Sequence, residues 1–331
     1  MAKAKEANKE KLSIKEAIAK MEEKHGEGVV MRLDSDRKVN VEVIPTGSIS
    51  LDFALGVGGI AKGRIIEIYG PESSGKTTLA LHIVHEAQKQ KLICAFIDAE
   101  HALDAEYARK LGVNTKEMYI SQPSSGEQAL DVVEEFVKTG EIGLIVIDSV
   151  AALTPQAEIN GEMGASHMGL QARLMSQALR KLTAISSKAK CTIIFINQIR
   201  MAIGQTWGNP EVTTGGRALR FYASMRIEVR RSNRLMRGEE IVGSRISVKI
   251  AKNKLASPFK TTSFDILFGE GISKASDILE FATQKGIIKK EGISFFFENE
   301  KIGVGLDKTK TVLTDNKELF NKIEIACRKL I

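Results

Sequence analysis

The chain has 331 residues, of which 43% are hydrophobic and 27% charged, a composition typical of one large globular domain with one or two small ones. No stretch approaches the roughly 20 apolar residues of a membrane span, and the lysine-rich start lacks the apolar core of a secretory signal. We therefore expect a cytoplasmic protein with no membrane partner. Cys94, Cys191 and Cys327 stand singly in the sequence, which predicts buried, reduced thiols.

The net charge of +7 is distributed unevenly along the chain. Residues 173–260 contain 18 lysines and arginines against 4 acidic residues, a net charge of +14, and the rest of the chain has a net charge of −7. Clustered positive charge releases counterions from a polyphosphate backbone, which makes binding favourable. This distribution favours nucleic acid as the partner.

The first predicted element is an amphipathic helix. Ser13 followed by Glu16 is a capping box, which predicts the start of that helix. Its apolar residues fall on one face: Ile14, Ala17, Ile18 and Met21. A short strand is predicted over 29–33. Residues 1–38 are too few to form their own core, so we expect this element to dock elsewhere, for example on a neighbouring subunit.

Residues 39–269 alternate short β-rich runs with helical patterns, which predicts an α/β core whose mostly parallel sheet is flanked by helices. The later strands follow one another without helices and predict antiparallel pairs. The predicted strands are 64–69, 92–98, 117–121, 144–148, 191–197, 225–230, 244–252 and 263–268. The predicted helices are 76–88, 104–111, 126–138 and 170–187. Residues 270–331 predict a small α+β C-terminal domain, with a helix over 274–284, glycine-punctuated strands and a helix from Asp315.

A phosphate-binding loop is predicted between the first of these core strands and the first helix. The motif G-x-x-x-x-G-K-[ST] is matched by Gly70, Pro71, Glu72, Ser73, Ser74, Gly75, Lys76 and Thr77, and Thr78 follows. Glycines let backbone N–H groups surround phosphates, and the helix N-terminus adds partial positive charge. Lys76 is expected to reach the outer phosphates, and Thr77 to bind Mg²⁺.

Two further strands end in carboxylates. Asp148 ends an apolar strand, which predicts that it holds the metal beside Thr77. Glu100 follows the strand that ends at Asp98, and parallel strands bring it to the same edge of the sheet. Hydrolysis needs a group that activates or orients water, and Glu100 is the candidate. In isolation Asp148 is equally compatible with a structural role, as a cap of the next segment. The alternative for Glu100 is a surface carboxylate.

Gln198 follows a third apolar strand and leads into a segment rich in glycine, threonine and basic residues. A glutamine at that edge can hydrogen-bond the terminal phosphate and change the conformation of the segment after it. The alternative is a turn amide with no ligand.

These segments resemble the bacterial RecA family, and the likeness runs from about Ser13 to Ile302. The set and its order are specific to that family. The motifs are Gly70–Thr77, Phe96–Asp104, Ser149–Pro155, Ser166–Leu170, Phe195–Arg200, Gly208–Pro210 and Gly215–Gly216.

The resemblance implies an ATP-dependent recombinase that forms a helical filament on single-stranded DNA. Such a protein pairs that strand with homologous double-stranded DNA, promotes strand exchange in DNA repair and hydrolyses ATP. The resemblance also implies that it stimulates self-cleavage of a LexA-type repressor in the SOS response.

The resemblance assigns roles to individual residues. ATP and Mg²⁺ would lie between adjacent protomers, with Lys76, Thr77, Asp148 and Glu100 on one side and Gln198 as the sensor. Asp104 and Tyr107 would contact the adenine. Lys252 and Lys254 would reach the terminal phosphates from the neighbouring subunit, in the manner of an arginine finger.

Two loops, about 158–169 and 199–213, match the family's DNA-binding loops, which line the filament axis. Residues in or beside them are expected to contact DNA: Met168, Arg173, Arg200, Trp207, Asn209, Gly215 and Gly216.

The sequence also departs from the family pattern. Trp207 replaces a usual Phe, Ala202 a frequent Lys, and Phe268 a common Tyr beside the nucleotide. We expect altered affinity and unaltered function. The sequence given ends at Ile331 without the acidic tail of many relatives, which predicts readier binding of duplex DNA.

Three other functions were compared with this prediction. A hexameric helicase or RadA-like motor shares the phosphate loop and the sheet, but would add a translocation domain or a zinc ribbon. A small-molecule kinase does not account for the charge of residues 173–260. A nucleotide-switched scaffold without hydrolysis does not account for Glu100.

Overall fold

The structure is a computed structural model, and it describes residues 13–27, 29–30, 41–162, 167, 169–201 and 210–331. Contacts divide the chain into two compact units, one up to Asn40 and one from Val41 onward. Each unit is described by itself.

The described part of the first unit is helix α1 (Ile14–His25) with the residues around it. The predicted capping box is present: the Glu16 N–H donates to Ser13 Oγ at 3.3 Å, and the Ser13 N–H donates to Glu16 Oε2 at 2.8 Å. No residue of α1 is buried. The strand predicted over 29–33 is wrong at Val29 and Val30, which form bends. Its remaining residues lie outside the described ranges.

The second unit contains the other helices and all the described strands. The helices are α2 (Ile49–Leu55), α3 (Lys76–Lys89), α4 (Ala105–Lys110), α5 (Gly126–Thr139), α6 (Gln156–Ile159), α7 (Leu170–Ala189), α8 (Ala218–Tyr222), α9 (Lys274–Gln284), α10 (Leu306–Asp315) and α11 (Lys317–Arg328). The strands are β1 (Val43–Ile44), β2 (Ile60–Ala61), β3 (Ile65–Gly70), β4 (Ile93–Asp98), β5 (Met118–Ser121), β6 (Ile142–Asp148), β7 (Thr192–Met201), β8 (Glu211–Thr213), β9 (Met225–Arg237), β10 (Glu240–Asn253), β11 (Thr261–Leu267), β12 (Gly271–Ile272), β13 (Ile288–Glu291), β14 (Ser294–Phe297) and β15 (Glu300–Val304).

The large sheet has the strand order β12-β11-β10-β9-β3-β7-β6-β4-β5, and β8 pairs with β7. The six strands from β9 to β5 in this order are parallel, whereas β10, β11 and β12 add antiparallel pairs. The predicted α/β class, with a mostly parallel central sheet and later antiparallel strands, is therefore confirmed. Among the described residues, no helix is long and apolar enough to cross a membrane.

Hydrophobic clusters cover both faces of this sheet. Strand β4 shows why: Cys94 and Phe96 belong to one cluster, with α3, while Ala95 and Ile97 belong to the other, with α5 and α7. Alternate residues of a strand point to opposite faces, so a strand covered on both sides is apolar throughout. All three cysteines are buried free thiols, and burial raises the pKa of each to about 12.

A three-stranded sheet of β13, β14 and β15 packs with α9, α10 and α11 around a third cluster. Ile49 of α2 also belongs to this cluster. The boundaries predicted at residues 38/39 and 269/270 stay predictions. The helix predicted from Asp315 begins at Lys317, because Asp315 ends α10 instead.

Candidate functional site

The phosphate-binding motif forms the connection between β3 and α3. Gly70 ends β3 and Lys76 begins α3, with Gly75 between them at φ +90°. Only glycine fits at position 70, because an added Cβ would lie 2.0 Å from the Val229 carbonyl oxygen. Pro71, Glu72 and Ser73 form the exposed tip of the loop.

Two polar side chains of the loop are arranged as a phosphate site requires. Ser74 Oγ is buried and has no hydrogen-bond partner among the residues that the structure describes. Lys76 Nζ donates to the Pro71 carbonyl at 2.6 Å, so its side chain curls back over the loop. Burial lowers the pKa of Lys76, and the negative charges of Asp148 and Glu100 partly offset this decrease. A buried hydroxyl and a partly desolvated cation at a helix N-terminus fit a bound triphosphate.

Thr77 and Asp148 lie at the adjoining strand end. Thr77 Oγ1 donates to Asp148 Oδ2 at 2.6 Å, and burial raises the pKa of Asp148 to about 6. Within the described ranges, no three acidic, histidine or cysteine side chains group to hold a metal. The hydroxyl of Thr77 and the carboxylate of Asp148 are oxygen donors that fit Mg²⁺, which commonly takes one or two protein ligands and completes its shell with water and phosphate oxygens.

Glu100 lies between two donors. Its Oε1 accepts from the Ser149 hydroxyl and from Gln198 Nε2, the latter at 2.8 Å. Strands β4 and β6 are in register at Asp98 and Asp148, which brings the residues following each strand to one edge. Thus the carboxylate and the amide that the sequence singles out separately are direct neighbours here.

Asp104 and Tyr107 lie at the start of α4. Asp104 caps the helix, its Oδ1 accepting from the N–H groups of Glu106 and Tyr107 at 2.7 and 3.1 Å. These bonds, with that of Tyr107 the larger cause, lower the pKa of Asp104. The Tyr107 hydroxyl lies 3.0 Å from Thr78 Oγ1, so α4 is tied to the phosphate loop. A contact of either residue with adenine stays a prediction.

Strand β7 continues past the phosphate edge into a two-stranded ribbon. Beyond Gln198, residues 199–201 pair antiparallel with 211–213 of β8. The ribbon defined by residues 199–201 and 211–213 therefore begins at the residue that contacts Glu100. Arg200 is exposed on it, and Arg173 is exposed on the first turn of α7.

The two glycines after the ribbon are packed closely against neighbouring side chains. An added Cβ at Gly215 would lie 2.7 Å from Val150 Cγ1, and one at Gly216 would lie 2.7 Å from Ala172 Cβ. Both have positive φ, +77° and +78°. These features explain the glycines by packing, so their predicted contact with DNA stays a prediction. The predicted contacts Met168, Trp207 and Asn209 lie outside the described residues.

Lys252 and Lys254 lie toward the opposite, amino-terminal edge of the sheet. Lys252 pairs with Arg226 of β9, whose parallel neighbour on β3 is Glu67, three residues before Gly70. At roughly 3.3 Å per residue, Lys252 and Gly70 are about 10 Å apart along the strand direction. Across the sheet they are also separated by two strand spacings. Lys252 Nζ donates to the carbonyls of Arg220 and Phe221, both at 2.8 Å. The structure therefore does not bring this lysine to its own phosphate loop.

Burial lowers the pKa of Lys252, and the neighbouring charge of Lys254 lowers it further. Lys254 itself is exposed. A cation in such surroundings gains stability when an anion approaches it.

The sequence analysis did not single out Ser149, Asn197, Glu67 or Arg226. Glu67 is a single charged residue within the apolar strand β3, and it is fully buried, with Arg226 donating to it. A charge in an otherwise apolar strand is a signal that could have been used, because buried charges need partners.

Comparison with known proteins gives one family. The model of the RecA N-terminal domain matches residues 12–273, and that of the RecA C-terminal domain matches residues 276–331. The chain is 58% identical over 313 residues to Protein RecA of Geobacter sulfurreducens, covering 94% of this chain and 93% of that protein. It is 58% identical to Protein RecA of Chloroherpeton thalassium, covering 93% and 86%, and 55% identical to Protein RecA of Bifidobacterium longum, covering 96% and 80%.

A solved structure, the crystal structure of the RadB recombinase, matches with a TM-score of 0.53 and 24% identity. The match covers 70% of this chain and 98% of that one, and it supports the fold.

Proposed function

Because the chain belongs to the RecA family of recombinases, DNA-dependent ATPases that act in DNA repair and strand exchange, we propose that its ATP lies, with Mg²⁺, at the seam between two protomers of a filament. One protomer supplies the phosphate loop, Thr77, Asp148, Glu100 and Gln198. The next supplies Lys252 and Lys254. The filament assembles on single-stranded DNA.

The separation of the lysines from the phosphate loop is the observation that carries this proposal. The two lysines and the phosphate loop lie toward opposite edges of one sheet. One copy therefore cannot bring its own lysines to the nucleotide in its own phosphate loop. Stacking copies head to tail brings the amino-terminal edge of one against the carboxyl edge of the next. Head-to-tail contacts that do not close generate helical filaments.

The residues at the carboxyl edge divide the work. The loop N–H groups, Ser74 and Lys76 bind the phosphates, and Thr77 with Asp148 holds Mg²⁺, which neutralises charge on the phosphate oxygens. Glu100 orients the attacking water. Gln198 donates to Glu100 at 2.8 Å, and a terminal phosphate competes for that N–H donor. Transfer of the donor releases Glu100 and moves the start of the ribbon.

DNA is bound through its backbone, and base pairing reads its sequence. Arg173 and Arg200 are exposed and offer phosphate contacts near the ribbon. Met168, Trp207 and Asn209 complete the proposed contact set, and Gly215 and Gly216 shape the turn that follows. The filament also binds double-stranded DNA and a LexA-type repressor. Its place is the cytoplasm, where a bacterial chromosome lies.

Mixing two inactive variants tests the shared site. Glu100→Gln damages the carboxyl-edge half and Lys252→Ala the amino-edge half, so each alone hydrolyses ATP poorly on single-stranded DNA. In a random 1:1 mixture, about one quarter of the seams combine two intact halves. We expect about that share of wild-type turnover to return.

The control is a mixture of Glu100→Gln with Lys76→Ala, which damage the same half and restore nothing. Absence of recovery in the first mixture, with filaments visible by electron microscopy, would refute a shared site.

A further inference from the structure

A buried ion pair lies directly behind the candidate site. Glu67 of β3 is fully buried, and its Oε2 accepts from Arg226 Nε of β9. Arg226 is 8% exposed, and its guanidinium carbon lies 4.5 Å from the centroid of the Tyr69 ring. Burying two charges costs desolvation energy that their attraction often fails to recover. Stability alone therefore does not account for this pair.

The second oxygen of Glu67 is bound to Asn197, the residue before Gln198. Asn197 Nδ2 donates to Glu67 Oε1 at 3.0 Å and to the Thr214 carbonyl at 3.1 Å. Asn197 Oδ1 accepts from the Gln198 N–H at 2.9 Å and from Thr214 Oγ1 at 2.5 Å. Asn197 is fully buried, so no water substitutes for these partners.

Glu67 helps to hold the Asn197 amide in one orientation. An ionised carboxylate only accepts hydrogen bonds, so the NH₂ group must face it. The amide oxygen is then directed to the Gln198 N–H and the Thr214 hydroxyl. The Gln198 N–H and the Thr214 carbonyl favour the same orientation, and the carboxylate adds the charged acceptor that holds the amide there. Without the carboxylate, one N–H of this buried amide loses its acceptor, and Asn197 is held less firmly.

Asn197 joins the two points where the ribbon leaves the sheet. Gln198 precedes residues 199–201 on one side, and Thr214 follows residues 211–213 on the other. The same Gln198 contacts Glu100 through its side chain. A fixed Asn197 therefore transmits a displacement of the ribbon to Gln198 and Glu100, whereas a free one absorbs it.

We propose that Glu67, with Arg226, is a positioning residue that orients Asn197 and thereby couples the ribbon to Gln198 and Glu100. The proposal rests on the proposed function, since it assumes that DNA binds near the ribbon. It assigns Glu67 no contact with nucleotide or DNA.

Glu67→Gln tests the coupling. We expect hydrolysis of ATP without DNA to stay within about twofold of wild type, while its stimulation by single-stranded DNA falls roughly tenfold, within the usual range of coupling between sites. Coupling between two binding sites is reciprocal, so the gain in DNA affinity caused by a non-hydrolysable ATP analogue should also fall, as should the gain in affinity for the analogue caused by DNA. That second measurement involves no catalysis.

Two further variants separate coupling from folding. The double variant Glu67→Leu/Arg226→Leu removes both charges, avoids an unpaired buried charge and still deprives Asn197 of its orienting acceptor. It should lose the coupling as Glu67→Gln does. Asp265→Asn weakens another ion pair, between Asp265 of β11 and Arg245 of β10. Asp265 is 4% exposed, so its burial matches that of the first pair. It should keep the coupling.

Full DNA stimulation, together with a full effect of the ATP analogue on DNA affinity, in folded Glu67→Gln and in the double variant would overturn the proposal. Equal loss of coupling in Asp265→Asn would overturn it as well. If wild-type protein itself shows no stimulation by DNA, the proposed function fails instead.

Discussion

The two edges of the central sheet differ in the chemistry they present. At the carboxyl edge, Asp148 accepts a hydrogen bond from Thr77 of the phosphate loop, and Glu100 accepts one from Gln198 and one from Ser149. At the amino-terminal edge, the Lys252 ammonium group donates to two main-chain carbonyls, and Lys254 is exposed beside it. The carboxylates Asp148 and Glu100 and the lysines Lys252 and Lys254 are thus on opposite sides of one copy. The difference supports the proposal that one chain carries two half-sites.

The largest expected effect separates the edges directly. Lys252→Ala should lower DNA-stimulated turnover about a thousandfold, the lower end for a cation supplied by a neighbouring subunit. ATP binding by the dispersed chain should not change. Lys76→Ala should lose both turnover and binding. Steady-state hydrolysis and titration with a fluorescent ATP analogue measure the two quantities. Equal weakening of ATP binding in both variants would place Lys252 in its own chain's site.

Glu100→Gln tests whether hydrolysis and nucleotide binding depend on different residues at the carboxyl edge. Loss of a group that orients or deprotonates water should reduce turnover about a hundredfold, while the phosphate loop keeps its affinity. Single-turnover hydrolysis and nucleotide binding are the measurements. Ser149→Ala, which removes a hydrogen bond to the same carboxylate, is the matched control and should cost much less. A Glu100→Gln variant that cannot bind ATP would contradict this role.

A buried histidine, His82, connects helix α3 to strand β12. His82 is 4% exposed, and its Nε2 accepts a hydrogen bond from the Ile272 N–H at 2.8 Å. Its Nδ1 has no partner within the described part of the chain. Burial, with smaller contributions from Lys274 and His85, lowers the pKa of His82 to about 4. The folded state therefore favours neutral His82, and stability should fall as pH drops below about 6.5 toward 4.

His82→Gln should remove that dependence. At pH 5 the wild type should have lost about 2 kcal/mol of unfolding free energy through His82, at 1.36 kcal/mol per pH unit. Urea unfolding of both proteins at pH 7.5 and pH 5 measures it. Buried Asp52 and Asp277, whose pKa values are raised to about 7 and 6, titrate in both proteins and cancel in the difference. Parallel losses in the two proteins would refute the assignment.

The smallest expected effect concerns the link between α4 and the phosphate loop. Tyr107→Phe removes the hydroxyl that lies 3.0 Å from Thr78 Oγ1. Loss of one such hydrogen bond costs about 1 kcal/mol, so the KM for ATP should rise about fivefold with kcat unchanged. Tyr119→Phe, on the exposed edge strand β5, is the control and should change neither constant. A change in kcat instead would place Tyr107 in the chemical step.

The sequence predicted the sheet well because its strands are apolar and its helices amphipathic. Helix α9 is predicted to the residue and α3 within one. Helix α2 was missed because six of its seven residues are buried, which leaves no polar face and no helical period. Helix α10 was missed because it buries only Thr309 and Leu313 and follows Gly303 and Gly305, which read as strand punctuation.

Site residues could be predicted from the sequence where they directly follow a strand of the parallel sheet. Parallel strands end at a common edge, so Asp148 and Glu100 had to be neighbours. The contacts of Asn197 with Glu67 and Thr214 could not be predicted in this way. They depend on side-chain rotamers and on the register of β3 against β7, neither of which a single sequence displays.

Strand β7 has ten residues. Its first part pairs with β3 in the core, Asn197 and Gln198 lie at the carboxyl edge, and residues 199–201 form one strand of the ribbon. Adding or deleting one residue within it would exchange the two faces of everything downstream, because side chains alternate. Asn197 and Gln198 would then trade surroundings. We therefore expect an insertion or deletion of one residue within β7 to separate Gln198 from Glu100 and to abolish hydrolysis.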